Sequence, residues 1–160
     1  MTDEQKRPAP IVRATWQGEH RFSTGRPDQP QAEIDGNGIT AQSPPDALLN
    51  ALATCSGVDV VDILAKRRTP VERLMVDVEG DRREQPPRRF EHIRLAYHID
   101  GAGIERTHAE RAVQLAFEKY CSVAASLAPD IRIETEVVLN GEAGAKITQA
   151  IFVPQASVAV

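Results

Sequence analysis

Cysteine is scarce in this 160-residue chain, which holds only Cys55 and Cys121. The two are not arranged as Cys-x-x-Cys, and no histidine stands at metal-ligand spacing from either, which argues against a zinc site. No run comes near the ~20 apolar residues that a bilayer span requires. The opening Met1-Thr2-Asp3-Glu4-Gln5-Lys6-Arg7 lacks the apolar core of a secretory signal. Excess positive charge is missing as well: 19 Lys and Arg against 23 Asp and Glu leave a net charge of −4. A general nucleic-acid partner would call for a basic surface. Gly36-Asn37-Gly38 and Gly101-Ala102-Gly103 read as turns, since neither leads into a phosphate-cradling loop. There is no Gly-x-Ser-x-Gly nucleophile elbow, no internal repeat and no domain linker. These absences leave a cytoplasmic protein without membrane or nucleic acid as partner. In that compartment a permanent disulfide is uncommon.

The hydrophobic fraction of 41% and a length of 160 residues suffice for one domain with its own core. Residues 1–10 are polar and proline-bearing, and read as a flexible arm. Residues 11–140 read as a single domain, and residues 141–160 as a tail with no clear pattern. Val12, Ala14 and Trp16 alternate with polar residues, the period of a strand with one buried face. Short strands around 21–24 and 31–34 follow, and Asp35-Gly36-Asn37-Gly38 supplies a turn. Together these predict an antiparallel meander.

Ser43-Pro44-Pro45 opens a helix, because proline is tolerated where its missing N–H would have no intrahelical partner. Ala47 to Ala65 is apolar nearly all round, with charge only at Asp59 and Asp62. Such a helix should be buried on several sides, in the core or against a second subunit. Lys66-Arg67-Arg68 and Thr69-Pro70 end it. Leu74, Val76 and Val78, then Ile93, Leu95, Tyr97 and Ile99, alternate as two strands of a hairpin. Arg82-Arg83 and Arg88-Arg89 between them read as a solvated tip. Thr107-His108-Ala109-Glu110 has capping-box spacing ahead of a helical stripe through Ala109, Val113, Ala116, Phe117 and Tyr120. A short helix over 122–127 and a strand through Ile131, Ile133, Thr135, Val137 and Leu139 complete the order. The fold class predicted is α+β, with antiparallel sheet and a central buried helix.

The two thiols could be silent core residues, a staple or a redox pair. Taken alone, each reads first as an inert buried residue. A thiol reacts as thiolate, and its surroundings set how much is present. Cys121 precedes the short helix, whose N–H groups should favour thiolate there. Cys55 lies mid-helix, would need a nearby cation, and has Asp59 and Asp62 near its face. The four histidines, His20, His92, His98 and His108, are scattered and read as solvent-exposed.

Two segments carry a resemblance. Ser43-Pro44-Pro45-Asp46-Ala47-Leu48-Leu49 with Ala51-Leu52-Ala53-Thr54-Cys55 resembles the Pro-x-Glu-Leu-Leu…Ala-Leu-x-x-Cys helix of OsmC/Ohr proteins. Ser56-Gly57-Val58-Asp59-Val60-Val61 and Lys119-Tyr120-Cys121-Ser122-Val123-Ala124-Ala125-Ser126-Leu127 are similar to one OsmC-like branch. The resemblance implies an α+β fold in which two chains intertwine as a homodimer, with the thiols at the subunit interface. It also implies a thiol peroxidase that reduces organic hydroperoxides to alcohols. Cys55 would attack the peroxide, Cys121 would close a disulfide, and an external dithiol reductant would restore both, with no cofactor or metal. The family's orienting Glu falls on Asp46. Its activating Arg falls nearest Arg21, with Arg26 the other candidate. The alternative is a non-catalytic dimeric module that binds a small hydrophobic ligand in an interface pocket. A thiol-based redox sensor is the third reading.

Overall fold

The computed structural model describes residues 8–152. Most of the expected arm (1–7) and the last eight residues of the tail (153–160) therefore lie outside the described residues. The chain forms two compact units, Met1–Leu48 and Leu49–Val160.

The first unit is the expected meander: β1 (Arg13–Trp16), β2 (Arg21–Gly25) and β3 (Ala32–Asp35), antiparallel in that order. Trp16 pairs with Phe22, and Phe22 with Ile34. Between β1 and β2, Gly18 and Glu19 take positive φ, the left-handed backbone that a tight reversal needs. The expected buried face of β1 is not buried: Val12 and Trp16 are exposed. The period-2 pattern gave the strand correctly but not what its apolar side faces. After β3, the Asp35 carboxylate accepts hydrogen bonds from the N–H groups of Asn37, Ile39 and Thr40 and from the Thr40 hydroxyl. Those donors, led by the Thr40 N–H, hold the Asp35 carboxyl down at about 2.

Helix α1 (Pro44–Lys66) follows. Its N-terminus is closed reciprocally: the Asp46 carboxylate accepts from the Ser43 N–H and hydroxyl, and the Asp46 N–H donates to the Ser43 hydroxyl. This is capping-box geometry with Asp in place of Glu. Leu52, Ala53, Ser56, Gly57, Val60 and Leu64 form its buried side. Among the described residues its Val58 is 60% exposed. By length and composition alone α1 could cross a membrane, although the sequence suggested no such run. However, Asp59 and Asp62 sit mid-helix, and each would cost about 2.5–3.5 kcal/mol at a bilayer centre. Leu52, Val60 and Leu64 also lie in the protein core.

The second unit is built on a mixed sheet in the order β4 (Arg73–Arg82), β5 (Phe90–Asp100), β6 (Arg132–Leu139), β7 (Glu142–Ala143), with β8 (Ile147–Thr148) also on β6. β4 and β5 form the expected antiparallel hairpin, Leu74 opposite Ile99. β5 and β6 pair in parallel, Ile93 beside Ile133 and Tyr97 beside Val137. That parallel ladder departs from the all-antiparallel expectation. Its reason is the helical connection between them, long enough to return the chain to the same end of the sheet. The fold is α+β.

The inward residues of β5 (Ile93, Leu95, Tyr97, Ile99) and β6 (Ile133, Val137, Leu139) make the core with α1 and with α2 (Arg106–Leu115). At roughly 1.5–3 kcal/mol for each large side chain, this burial is the main force holding the unit. α2 starts at Arg106, with its cap two residues before the expected Thr107. Its N-cap is Glu105, without a side-chain cap bond. The cause is Arg106, whose guanidinium donates to the carbonyls of Val137 and Glu142 and ties the first turn to the sheet. The expected patternless tail adds β7 and β8, and Gln149 donates to the buried Thr135 hydroxyl. The basic tip is partly engaged: Arg89 makes a bidentate pair with Asp130. Of the four histidines expected to be exposed, only His20 is; His92, His98 and His108 are half-buried beside Asp81, Asp77 and Glu105.

Candidate active site

Cys121 owes its placement to an irregularity in the helix before it. After α2 the chain widens into a π-helical stretch, Ala116–Tyr120, and the Cys121 N–H reaches back five residues to the Ala116 carbonyl at 2.7 Å. One extra residue per turn rotates the chain, so that Cys121 leaves the helix with extended φ/ψ. Such bulges recur where a protein must aim a particular residue. Cys121 then caps α3 (Ser122–Ala125), its sulfur accepting the Ala124 N–H at 3.4 Å. The apolar stripe through Phe117 and Tyr120 gave no sign of this bulge, because one inserted residue barely disturbs a pattern of threes and fours.

Helix α1 carries Cys55 to the same place. Its Sγ lies 3.8 Å from the Ser122 hydroxyl. The Sγ atoms of Cys55 and Cys121 and a carboxylate oxygen of Asp59 all lie within 4.8 Å of one another. Cys55 and Asp59 are one helical turn apart and share a face of α1. Below them the Ser56 hydroxyl shares a 2.6 Å hydrogen bond with the Tyr97 hydroxyl, and both side chains are fully buried. Burial pushes the Tyr97 phenol up, and the Ser56 bond only partly offsets it, so Tyr97 stays neutral.

The two thiols are electrostatically unlike, in the opposite sense to the sequence expectation. Burial opposes ionisation of Cys55. It is outweighed by donors around the sulfur: the Val123 N–H, the Cys121 thiol, and the Ser122 hydroxyl and N–H. The net effect holds Cys55 below the ordinary thiol range. Cys121 is buried more deeply, and that burial, reinforced by the neighbouring Cys55 charge, pushes its thiol up to about 12. The head of α3 thus serves the thiol from α1 more than its own capping residue. Asp59 is held above its ordinary value by burial and then by Asp62, and its Oδ2 is buried without a hydrogen-bond partner among the described residues. The sequence placed Asp59 only as a charge opposing Cys55. Its i, i+4 spacing from Cys55 was the available signal.

A thiolate alkylates and a thiol does not, so the Cys55 rate should rise through its pKa and level off at lower pH than a free cysteine, ~8.5. Cys121 should stay unreactive across the same range. Mass spectrometry of iodoacetamide-treated reduced protein would check this, and preferential labelling of Cys121 would reverse the assignment.

Of the other sequence candidates, Asp46 closes the head of α1 with Ser43. Arg21 opens β2 opposite Asp35, and the carbonyl of Arg26 accepts from Gln31. The sequence motifs thus lead to a facing pair of cysteines, one tuned toward thiolate and one kept as thiol. Residues 35–136 match the model of a family described as OsmC-like protein. The chain belongs to the OsmC-like family. Protein YhfA of Escherichia coli K12 is 42% identical over 104 residues, covering 64% of this chain and 78% of YhfA. A hypothetical protein from Aquifex aeolicus VF5 superposes with a TM-score of 0.74 at 28% identity, over 83% of this chain and 97% of that one. An organic hydroperoxide resistance protein OsmC from Legionella pneumophila shares the fold with a TM-score of 0.56 at 16% identity, over 82% and 96% of the two chains. This OsmC-like chain therefore keeps the family fold around its own cysteine pair.

Proposed function

We propose that the protein is a thiol peroxidase that reduces organic hydroperoxides to alcohols. The observation that carries this reading is the approach of the Cys55 and Cys121 sulfurs to within 4.8 Å, with Cys55 the more ionised. The naming of related proteins for hydroperoxide resistance supports it. In this reading the Cys55 thiolate attacks the outer peroxide oxygen. The O–O bond breaks, the alkoxide leaves and takes a proton as the alcohol, and Cys55 becomes a sulfenic acid. The Cys121 thiol then displaces hydroxide from that sulfur, giving a disulfide and water. An external dithiol reduces the disulfide by exchange and restores both thiols. The cycle is placed in the cytoplasm, where such reductants are available, and uses no resident cofactor.

Asp46 is assigned a positioning part, holding the head of the helix that bears Cys55. The family resemblance gives Arg21 a part in turnover, whereas the donors acting on Cys55 come from residues 121–123. Arg21→Ala should therefore slow turnover while leaving the Cys55 alkylation profile where it is. A shift of that profile would return the arginine to thiol activation.

The protein is further proposed to act as a homodimer. Val58, Val61 and Met75 are exposed. An apolar groove of about 400 Å³ runs between α1 and β4, lined by Ala53, Gly57, Val58, Val61, Leu74 and Val76. A second copy laid along α1 would bury it. Val58→Asp with Val61→Asp should convert the dimer to monomer in size-exclusion chromatography with light scattering. A wild-type chain that runs as monomer would reject the pairing. The same groove favours the second reading, a module for a small hydrophobic ligand, in which serine at either cysteine leaves ligand binding intact.

The decisive test exposes reduced protein to cumene hydroperoxide and then counts free thiols and measures mass. Rapid loss of both thiols with a mass lower by two hydrogens supports the enzyme. Unchanged thiols after long exposure favour the binding module.

A further inference from the structure

We propose that the reduced Cys55–Cys121 pair, together with Asp59, is a binding site for a thiophilic divalent cation of the zinc class, and that occupancy masks both thiols. Three potential ligand atoms, two sulfurs and one carboxylate oxygen, lie within 4.8 Å of one another. In a tetrahedral site with metal–sulfur bonds near 2.3 Å and metal–oxygen bonds near 2.1 Å, ligand atoms stand roughly 3.5–3.8 Å apart. The three side chains need close by only about 1 Å to meet that geometry, a movement within the range of side-chain adjustment.

The second observation is independent of the cysteines. Asp59 Oδ2 is buried and has no hydrogen-bond partner among the described residues. A buried carboxylate oxygen normally finds a donor, and one left without any has capacity to accept a cation. Nothing in the peroxide cycle uses that oxygen. Asp59 also lines a cleft of about 420 Å³ with Asp62, Lys66, Arg67 and Tyr120. Two soft sulfurs select a zinc-class ion over magnesium or calcium, and three protein ligands leave one position for water. The sequence spacing hid this set, because one ligand follows a π-helical bulge and the other two lie on a separate helix.

Binding replaces the remaining thiol protons with the metal and releases them to solvent, with no change of oxidation state. Metal and disulfide exclude each other, since both require the same sulfur lone pairs. Only the regulatory consequence, that a bound ion stops peroxide turnover, rests on the proposed function. The binding site does not.

Cobalt(II) is the probe. Titrated into the reduced full-length chain, it should give a thiolate-to-cobalt charge-transfer band and the visible bands of tetrahedral cobalt, saturating at one ion per chain. Zinc should displace it and bleach both. Cys55→Ser and Cys121→Ser should each lose the charge-transfer intensity expected of two thiolates. Asp59→Asn should weaken binding by about tenfold or more, since even groups outside the ligand shell matter that much. Circular dichroism of each variant separates a lost ligand from a lost fold. Absence of the charge-transfer band in the wild-type reduced chain would overturn the site, and an Asp59→Asn affinity equal to wild type would remove Asp59 from it. The cobalt spectrum needs no peroxide. It therefore stands if the peroxidase reading fails, and can fail while that reading stands.

Discussion

Cys55→Ser is expected to lower hydroperoxide consumption by at least about a thousand-fold, the scale on which loss of a covalent nucleophile is felt. Cys121→Ser should instead consume one equivalent and stop, leaving a sulfenic acid on Cys55 that a dimedone adduct would report. The asymmetry follows from the site. Cys55 is half-exposed and drawn toward thiolate by the Val123 and Ser122 N–H groups and its hydroxyl and thiol neighbours. Cys121 is 3% exposed and pushed up to about 12, so it waits as a thiol until a sulfenic acid forms beside it. Serine at 55 cannot substitute, because an alcohol stays protonated where the thiol ionises. If both variants consumed peroxide at the wild-type rate, the pair would be a structural feature and the binding-module reading would take its place. Thermal unfolding of each variant should remain close to wild type, since the two sulfurs are not joined in the reduced protein.

Phe117→Ala should destabilise the protein by about 3–5 kcal/mol, the range for removing a buried aromatic side chain. In a chain of this size that lowers the melting temperature by roughly 6–20 °C. Phe117 is 1% exposed in the core and belongs to the π-helical stretch that aims Cys121. Its carbonyl also accepts the Phe152 N–H, pinning the last described residues to that stretch. The truncation should therefore also slow disulfide closure after Cys55 is oxidised, because the bulge loses the packing that fixes Cys121 against Cys55. Equilibrium urea unfolding and the rate of disulfide formation measure the two effects separately. A loss under about 1 kcal/mol would mean that Phe117 is not part of a close-packed core.

Periodicity alone determined a good deal about this protein. The alternation through Leu74–Val78, Ile93–Ile99 and Ile133–Leu139 fixed three long strands, because a half-buried strand must place every second residue in the core. The proline-led apolar run fixed α1 and put Cys55 within it. The turn chemistry of Asp35–Gly38 marked the end of the meander, where the Asp35 carboxylate gathers the loop N–H groups. These are local signals, carried by residues close together along the chain, and the family resemblance adds that the two cysteine segments belong to one site.

The tertiary structure decided what depends on residues meeting from afar. It made β5 and β6 parallel, a pairing that strand patterns cannot state, since both faces alternate alike in either direction. It placed β7 and β8 on β6 from a tail without period. It reversed the expected ionisation of the thiols, because the N–H groups at the head of α3 act on a sulfur delivered by α1. It also turned Asp59 from a distant charge into a neighbour of both sulfurs. Sequence spacing orders residues along one element, whereas thiol ionisation is set by burial and donors within a few ångströms. Those neighbours exist only once the chain has folded.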